Sequence, residues 1–158
     1  MQYTGANHRI DRLTEQETGL NSSPETEVLT QLVRQRGKPF RVLIVDDEKW
    51  VQDVFKDFCE LTQAFDIDLA GDGQDAIAKV RGSQYDLITL DLIMPEMSGL
   101  DVLSAIKDIS PEVPVMIITG NATEKLVTEA GIMGACRVMY KPVMMETFIS
   151  EVTSALQR

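Results

Sequence analysis

At 158 residues and 44% hydrophobic content, the chain is the size of one globular domain with a real core. It has no stretch near the roughly 18 apolar residues of a membrane span and no basic-then-apolar secretory leader, so the expected location is the cytoplasm. The net charge of −10 comes from residues 41–158, with ten basic and twenty acidic side chains, and such a domain repels nucleic acid and anionic membranes; with no basic recognition helix visible, direct nucleic-acid binding and membrane insertion are excluded.

Residues 1 to about 22 are polar and mixed, with few large apolar side chains, and are expected to be mostly disordered. His8, the single histidine, falls there. That removes any histidine triad or phosphohistidine relay from the rest of the chain. A short helix is predicted over 24–36: Ser23 can cap it, Pro24 suits its first turn, and Gly37 with Pro39 stops it. Val28, Leu29, Leu32 and Val33 share one face. Three roles fit that face: packing on its own domain, a homodimer seam, or the remnant of a linker. Residues 1–39 thus read as an N-terminal extension and 40–158 as the main domain.

From residue 41 the pattern alternates. Strands are predicted at 41–45, 67–70, 86–90, 114–118 and 136–140. Helices follow them at about 49–62, 73–81, 99–108, 122–132 and 144–156. The first of these helices carries Val51, Val54, Phe55, Phe58 and Leu61 as its apolar stripe. Five strand–helix units imply an α/β fold with a parallel sheet covered by helices on both faces. Cys59 and Cys136 fall in a helix and a strand without metal or redox spacing, so both read as reduced core thiols. The methionines, Met94, Met97, Met144 and Met145 among them, read as core and loop filler. The chain stops with the last helix, so the expected output is a protein–protein contact rather than an attached effector.

Four of the strands end in chemistry. Val42-Leu43-Ile44-Val45 runs into Asp46-Asp47, Leu87-Ile88-Thr89-Leu90 into Asp91, Val115-Met116-Ile117-Ile118 into Thr119, and Val138-Met139-Tyr140 into Lys141. Ligands of an open parallel sheet bind at the carboxyl ends of the strands, so these groups should meet in one crevice. Each piece alone is ordinary: aspartates cap helices and begin turns. Their joint occurrence at four strand ends is what carries meaning. Two unit charges about 4 Å apart repel by roughly 4 kcal/mol at an effective dielectric of 20, so three crowded carboxylates call for a cation. Oxygen ligands, few in number and with room for water, suit Mg²⁺, and Mn²⁺ also fits. Asp91, alone at the end of the central strand, can act as a nucleophile and form an acyl phosphate. Lys141 offsets phosphoryl charge as a flexible point charge, Thr119 donates a hydrogen bond, and Gly120 leaves space for the group to enter.

These residues resemble the receiver domain of two-component response regulators, of the single-domain, chemotaxis-regulator type. The resemblance rests on Asp46-Asp47, on Asp91-Leu92-Ile93-Met94-Pro95-Glu96-Met97-Ser98-Gly99, on Thr119-Gly120 and on Lys141-Pro142, in order and spacing over about residues 40–158. It implies a flavodoxin-like, doubly wound five-stranded sheet of order 2-1-3-4-5. It also implies that Asp91 is the phosphorylation site and that Asp46, Asp47, Asp91 and the Ile93 backbone carbonyl hold Mg²⁺. Thr119 would be the switch hydroxyl, Lys141 the family's lysine with a cis bond to Pro142, and Gly99 the opening of the third helix of the domain.

The resemblance further implies a phosphoryl donor, either a sensor histidine kinase or a phosphotransfer protein. Output would pass to a downstream protein through the face formed by the helix at 122–132, the strand at 136–140 and the helix at 144–156. Such a protein is a signalling acceptor rather than an enzyme; an aspartate phosphatase would need a second acid where Ile93 stands. The alternative is a constitutive interaction module independent of phosphorylation. One departure keeps it open: the family's second switch position, three residues before the lysine, commonly carries Tyr or Phe and here carries Val138. Tyr140 would share its face. A modest shift of the helix at 122–132 is therefore expected on phosphorylation. Ile93 cannot orient water, although Asn121 could, so slow hydrolysis of phospho-Asp91 is expected.

Overall fold

The computed structural model describes residues 23–157; the expectations for residues 1–22, disorder and the placement of His8, lie outside them. Helix α1 (Pro24–Arg36) begins where Ser23 Oγ accepts the Thr26 N–H at 3.2 Å, and it ends at Gly37, whose φ of 77° lets its N–H reach the Val33 carbonyl. Leu29 and Val33 are buried, in a helix that packs on the last helix of the fold. Self-packing thus uses Leu29 and Val33, with Leu32 partly buried against the same core, while Val28 stays half-exposed. Arg36 adds a polar tie, donating to both oxygens of Asp86 at 3.3 and 3.1 Å while its guanidinium lies 4.2 Å from the centre of the Phe40 ring.

The remaining elements alternate: β1 (Phe40–Val45), α2 (Lys49–Thr62), β2 (Phe65–Ala70), α3 (Gly73–Gly82), β3 (Leu87–Leu90), α4 (Gly99–Ile109), β4 (Val115–Thr119), α5 (Glu124–Ile132), β5 (Arg137–Tyr140) and α6 (Met145–Leu156). All strand pairs are parallel and the order is β2-β1-β3-β4-β5, as expected. β3 and β4 are buried throughout, the mark of strands covered on both faces. β2 starts two residues before its expected position, and as an edge strand it carries Asp66 and Asp68, which discourage further pairing.

Alternation along the strands splits the core. Val42, Ile44, Leu87, Met116 and Ile118 pack with Phe55 of α2, Phe148 and Val152 of α6, and Leu29 of α1. Leu43, Val45, Ile88, Leu90 and Ile117 pack with Val80 of α3, Val102, Leu103 and Ile106 of α4, and Ala130 of α5. The Phe55 and Phe148 rings stack with centroids 4.8 Å apart, which locks α2 to α6.

The expected stripe of α2 needs one correction. Val51 and Phe55 face inward, but Val54 and Leu61 are exposed, and Gln52 and Cys59 take the interior. The helix is rotated toward Gln52 because that side chain finds two carbonyl acceptors under the sheet ends, as described below.

Candidate functional site

Strand register brings the four endings together. Val45 pairs with Leu90, Leu90 with Ile117, and Thr119 with Tyr140, so Asp46, Asp91, Thr119 and Lys141 emerge side by side. Backbone bonds fix the order further. The Asp46 N–H donates to the Ala70 carbonyl, the Asp91 N–H to Val45, and the Lys141 N–H to Thr119 at 2.9 Å. The Lys141–Pro142 bond is cis, as expected.

Asp91 is 4% exposed, and both its oxygens are held. Oδ1 accepts the Thr119 hydroxyl and the Ile93 N–H, each at 3.0 Å, and Oδ2 accepts Lys141 Nζ at 2.9 Å. Asp46 is equally buried. Its Oδ1 accepts the Glu48 N–H at 2.9 Å, and its Oδ2 lies 2.7 Å from Lys141 Nζ. Asp47 is exposed at the mouth. Oxygens of Asp46, Asp47, Glu48 and Asp91 can be chosen that all lie within 4.8 Å of one another.

Glu48 is the residue the sequence reading passed over. Its Oε1 lies 3.5 Å from Lys141 Nζ, and its Oε2 accepts the Trp50 indole N–H at 3.2 Å. The available signal was its place directly after Asp46-Asp47 in an acidic triplet. Gln52 was also missed. It is buried, and its amide donates to the Asp46 carbonyl at 2.6 Å and the Ala70 carbonyl at 3.2 Å, clamping the ends of β1 and β2. Glutamine at a buried helix position was the signal, since a buried amide needs partners.

Burial raises the Asp46 carboxyl above the usual aspartate range, and the bonds from Lys141 and the Glu48 N–H reverse only part of that. For Lys141 burial works against the charged form, yet the bonds to Asp46 and Asp91 outweigh it and hold the ammonium above the ordinary lysine value. One part-buried cation thus contacts three of a cluster of four carboxylates and does not fully offset them. The donor set suits a hard divalent cation beside the lysine.

The loop after Asp91 is shaped for close approach. Leu92 and Met94 turn inward, Ser98 caps α4, and the Gly99 N–H donates to the Leu92 carbonyl at 3.2 Å. A Cβ at Gly99 would sit 2.7 Å from that carbonyl oxygen, so glycine is required there, and it opens α4 as expected. Gly120 differs: a Cβ there would meet nothing within 4 Å, so the entry space does not depend on glycine. Ile93 is 48% exposed at the rim, and Asn121 is exposed. Val138 packs half-buried opposite Ile117, while Tyr140 is exposed beside Thr119. Neither cysteine is in a disulfide; Cys59 is fully buried, which pushes its thiol well up and makes it inert, and Cys136 lies just before β5, half-buried. Met94 is buried in one core cluster with Met97 packed against it, Met145 packs against the other cluster, and Met144 is exposed.

The response regulator receiver domain model matches residues 42–153, and the chain belongs to that family. The probable transcriptional regulatory protein TcrX of Mycobacterium tuberculosis is 34% identical over 127 residues, covering 79% of this chain and 53% of that protein. The chain therefore spans about half the length of that relative. The chemotaxis protein CheY of Treponema pallidum is 30% identical over 127 residues, covering 78% of this chain and 88% of that one. Among solved structures, the CheX–CheY–BeF3–Mg complex of Borrelia burgdorferi superposes with a TM-score of 0.72 at 32% identity, covering 77% of this chain and 92% of that one. The family is a phosphorylation-dependent signalling switch of two-component systems and not a classical enzyme, and the phosphorylation-independent alternative is not favoured. No helix among the described residues is long and apolar enough to cross a membrane.

Proposed function

We propose that Asp91 accepts a phosphoryl group from a sensor histidine kinase or a phosphotransfer protein. The supporting observation is the Asp91 carboxylate itself. It is buried at the end of the central strand, with one oxygen held by Thr119 and Ile93 and the other by Lys141. A carboxylate oxygen attacks phosphorus, the N–P bond of the donor phosphohistidine breaks, and the bonding pair returns to the imidazole nitrogen. Lys141 Nζ then pairs with a phosphoryl oxygen, and the Thr119 hydroxyl turns from the carboxylate to donate to another. Asp46, Asp47, Asp91 and the Ile93 carbonyl would hold Mg²⁺, or Mn²⁺, which when bound neutralises phosphoryl charge.

Turnover is confined to Asp91 itself, through slow autodephosphorylation. We read residues 40–158 as the receiver and 1–39 as an extension docked through α1, acting in the cytoplasm. Output goes to a downstream protein through the face of α5, β5 and α6. With Val138 at the switch position, that face moves by backbone and helix adjustment more than by rotation of an aromatic ring. Intact mass after incubation with Mg²⁺ and acetyl phosphate tests the reading. The parent should gain one phosphoryl group, and Asp91→Asn and the EDTA control should gain none. Equal gain in Asp91→Asn would place the acceptor elsewhere.

A further inference from the structure

We infer that Glu48 is a positioning residue that couples the charge held in the crevice to the orientation of Trp50. This deepens the reading of the crevice as a divalent-cation and phosphoryl site and rests on it. Glu48 is the N-cap of α2, yet its side chain makes no capping bond. One of its oxygens faces Lys141 in the crevice and the other accepts the Trp50 indole N–H outside it. Asp46 and Asp91 hold Lys141 at 2.7 and 2.9 Å, deep in the protein. Glu48 holds it at 3.5 Å with its side chain 48% exposed, so of these three acids it turns most easily.

Its reach covers both states. A Glu48 oxygen already lies within 4.8 Å of oxygens from Asp46, Asp47 and Asp91, so a cation among those acids is in range of its carboxylate, directly or through one water. Turning the carboxylate that way releases the indole. Trp50 is 64% exposed, so packing does little to keep the ring in place once that bond is gone. Glu48 thereby gives the crevice a charge-dependent link to the first turn of α2, outside the switch residues on β4 and β5. Trp50 is also the only tryptophan of the chain, so its emission reads this one bond.

A unit negative charge about 5 Å from a divalent cation, in a water-like dielectric with ordinary salt, contributes about fivefold in affinity. Calorimetric Mg²⁺ titration and Trp50 emission, measured on the parent, Glu48→Gln and Glu48→Ala, test the inference. The parent should bind Mg²⁺ and show an emission change with the same midpoint. Glu48→Gln keeps an acceptor for the indole without the charge, so it should bind about fivefold more weakly and lose the emission change. Glu48→Ala should show, without cation, the emission of the cation-loaded parent. Glu48→Gln with the parent's affinity and the parent's emission change would overturn the inference while leaving the site reading intact. A parent that binds no Mg²⁺ by calorimetry would overturn the site reading and the inference with it.

Discussion

Gln52 offers a perturbation whose size can be worked out from the structure. Its amide is the donor to the Asp46 carbonyl at 2.6 Å and a second donor to the Ala70 carbonyl at 3.2 Å. The Ala70 carbonyl also accepts the Asp46 N–H at 3.1 Å, so it stays paired when the amide is removed. Gln52→Leu therefore strands one buried carbonyl, that of Asp46, at a cost of roughly 1–3 kcal/mol. Taking about 2 kcal/mol, the melting temperature of a chain this size should fall by roughly 4–8 °C, and the urea midpoint should fall at unchanged slope. Gln52→Glu separates hydrogen bonding from packing, because it keeps the shape and an ionised carboxylate cannot donate. It should be worse than leucine at neutral pH and recover in acid. The buried carboxyl, facing two carbonyl acceptors, would titrate above the ordinary value of about 4.3, so stability is held below that value and lost as pH rises through the folded one. A leucine variant within about 0.5 kcal/mol of the parent, or a glutamate variant as stable as the parent at neutral pH, would refute the clamp.

Leu29→Ala should cost about 2–5 kcal/mol in urea unfolding, because Leu29 is 1% exposed in the core shared with β1 and α6; a loss under about 1 kcal/mol would mean that α1 is not part of the cooperative core. Burial and the acceptor Asp68 push the Tyr85 phenol from 10.0 to about 12. The unfolded chain releases that proton first, so Tyr85 supports the fold below pH 10 and loses that support as pH rises toward about 12. Absorbance titration of tyrosinate should show one late component that disappears in Tyr85→Phe, and a parent with no late component would contradict the Asp68 contact. Ile93→Asn should shorten the lifetime of phospho-Asp91, read by decay of the phosphorylated mass, because an amide at that half-exposed rim position can orient water; an unchanged lifetime would remove Ile93 from the hydrolytic control.

The parts of the site that were legible in the sequence are those that share one physical cause. A parallel strand buried on both faces must be an apolar run, so the first hydrophilic residue after it marks the carboxyl end of the sheet. Asp46, Asp91 and Lys141 were therefore locatable, while Thr119 proved to be the last residue of β4. β2 was harder to bound, because an edge strand alternates Asp66 and Asp68 with partly buried residues and blurs the run. Hydropathy alone misplaced part of the α2 face. Glutamine counts as polar, and nothing along the chain shows that its amide will find carbonyls from two different strands. Glu48 stayed unread for a similar reason: its partners, Lys141 and Trp50, lie 93 and 2 residues away, and sequence spacing reveals only the second.

Through most of the chain local preference and global fold agree. Ser23 caps α1, Asp72 caps α3, and Ser98 and Thr123 cap α4 and α5, each through its own side chain. The exception is the crevice, where Asp46 and Asp91 are sealed from water with one lysine between them. An apolar or amide residue at either position would relieve the like-charge repulsion at small cost in shape. The fold instead spends rigid backbone on fixing both acids and the lysine in place, through the Ala70, Val45 and Thr119 carbonyls and the Gln52 amide. A site that violates the rule against crowded buried charge, and is braced on every side to do so, is where function is expected. Its unmet negative charge is the property that a cation and a phosphoryl group together would use.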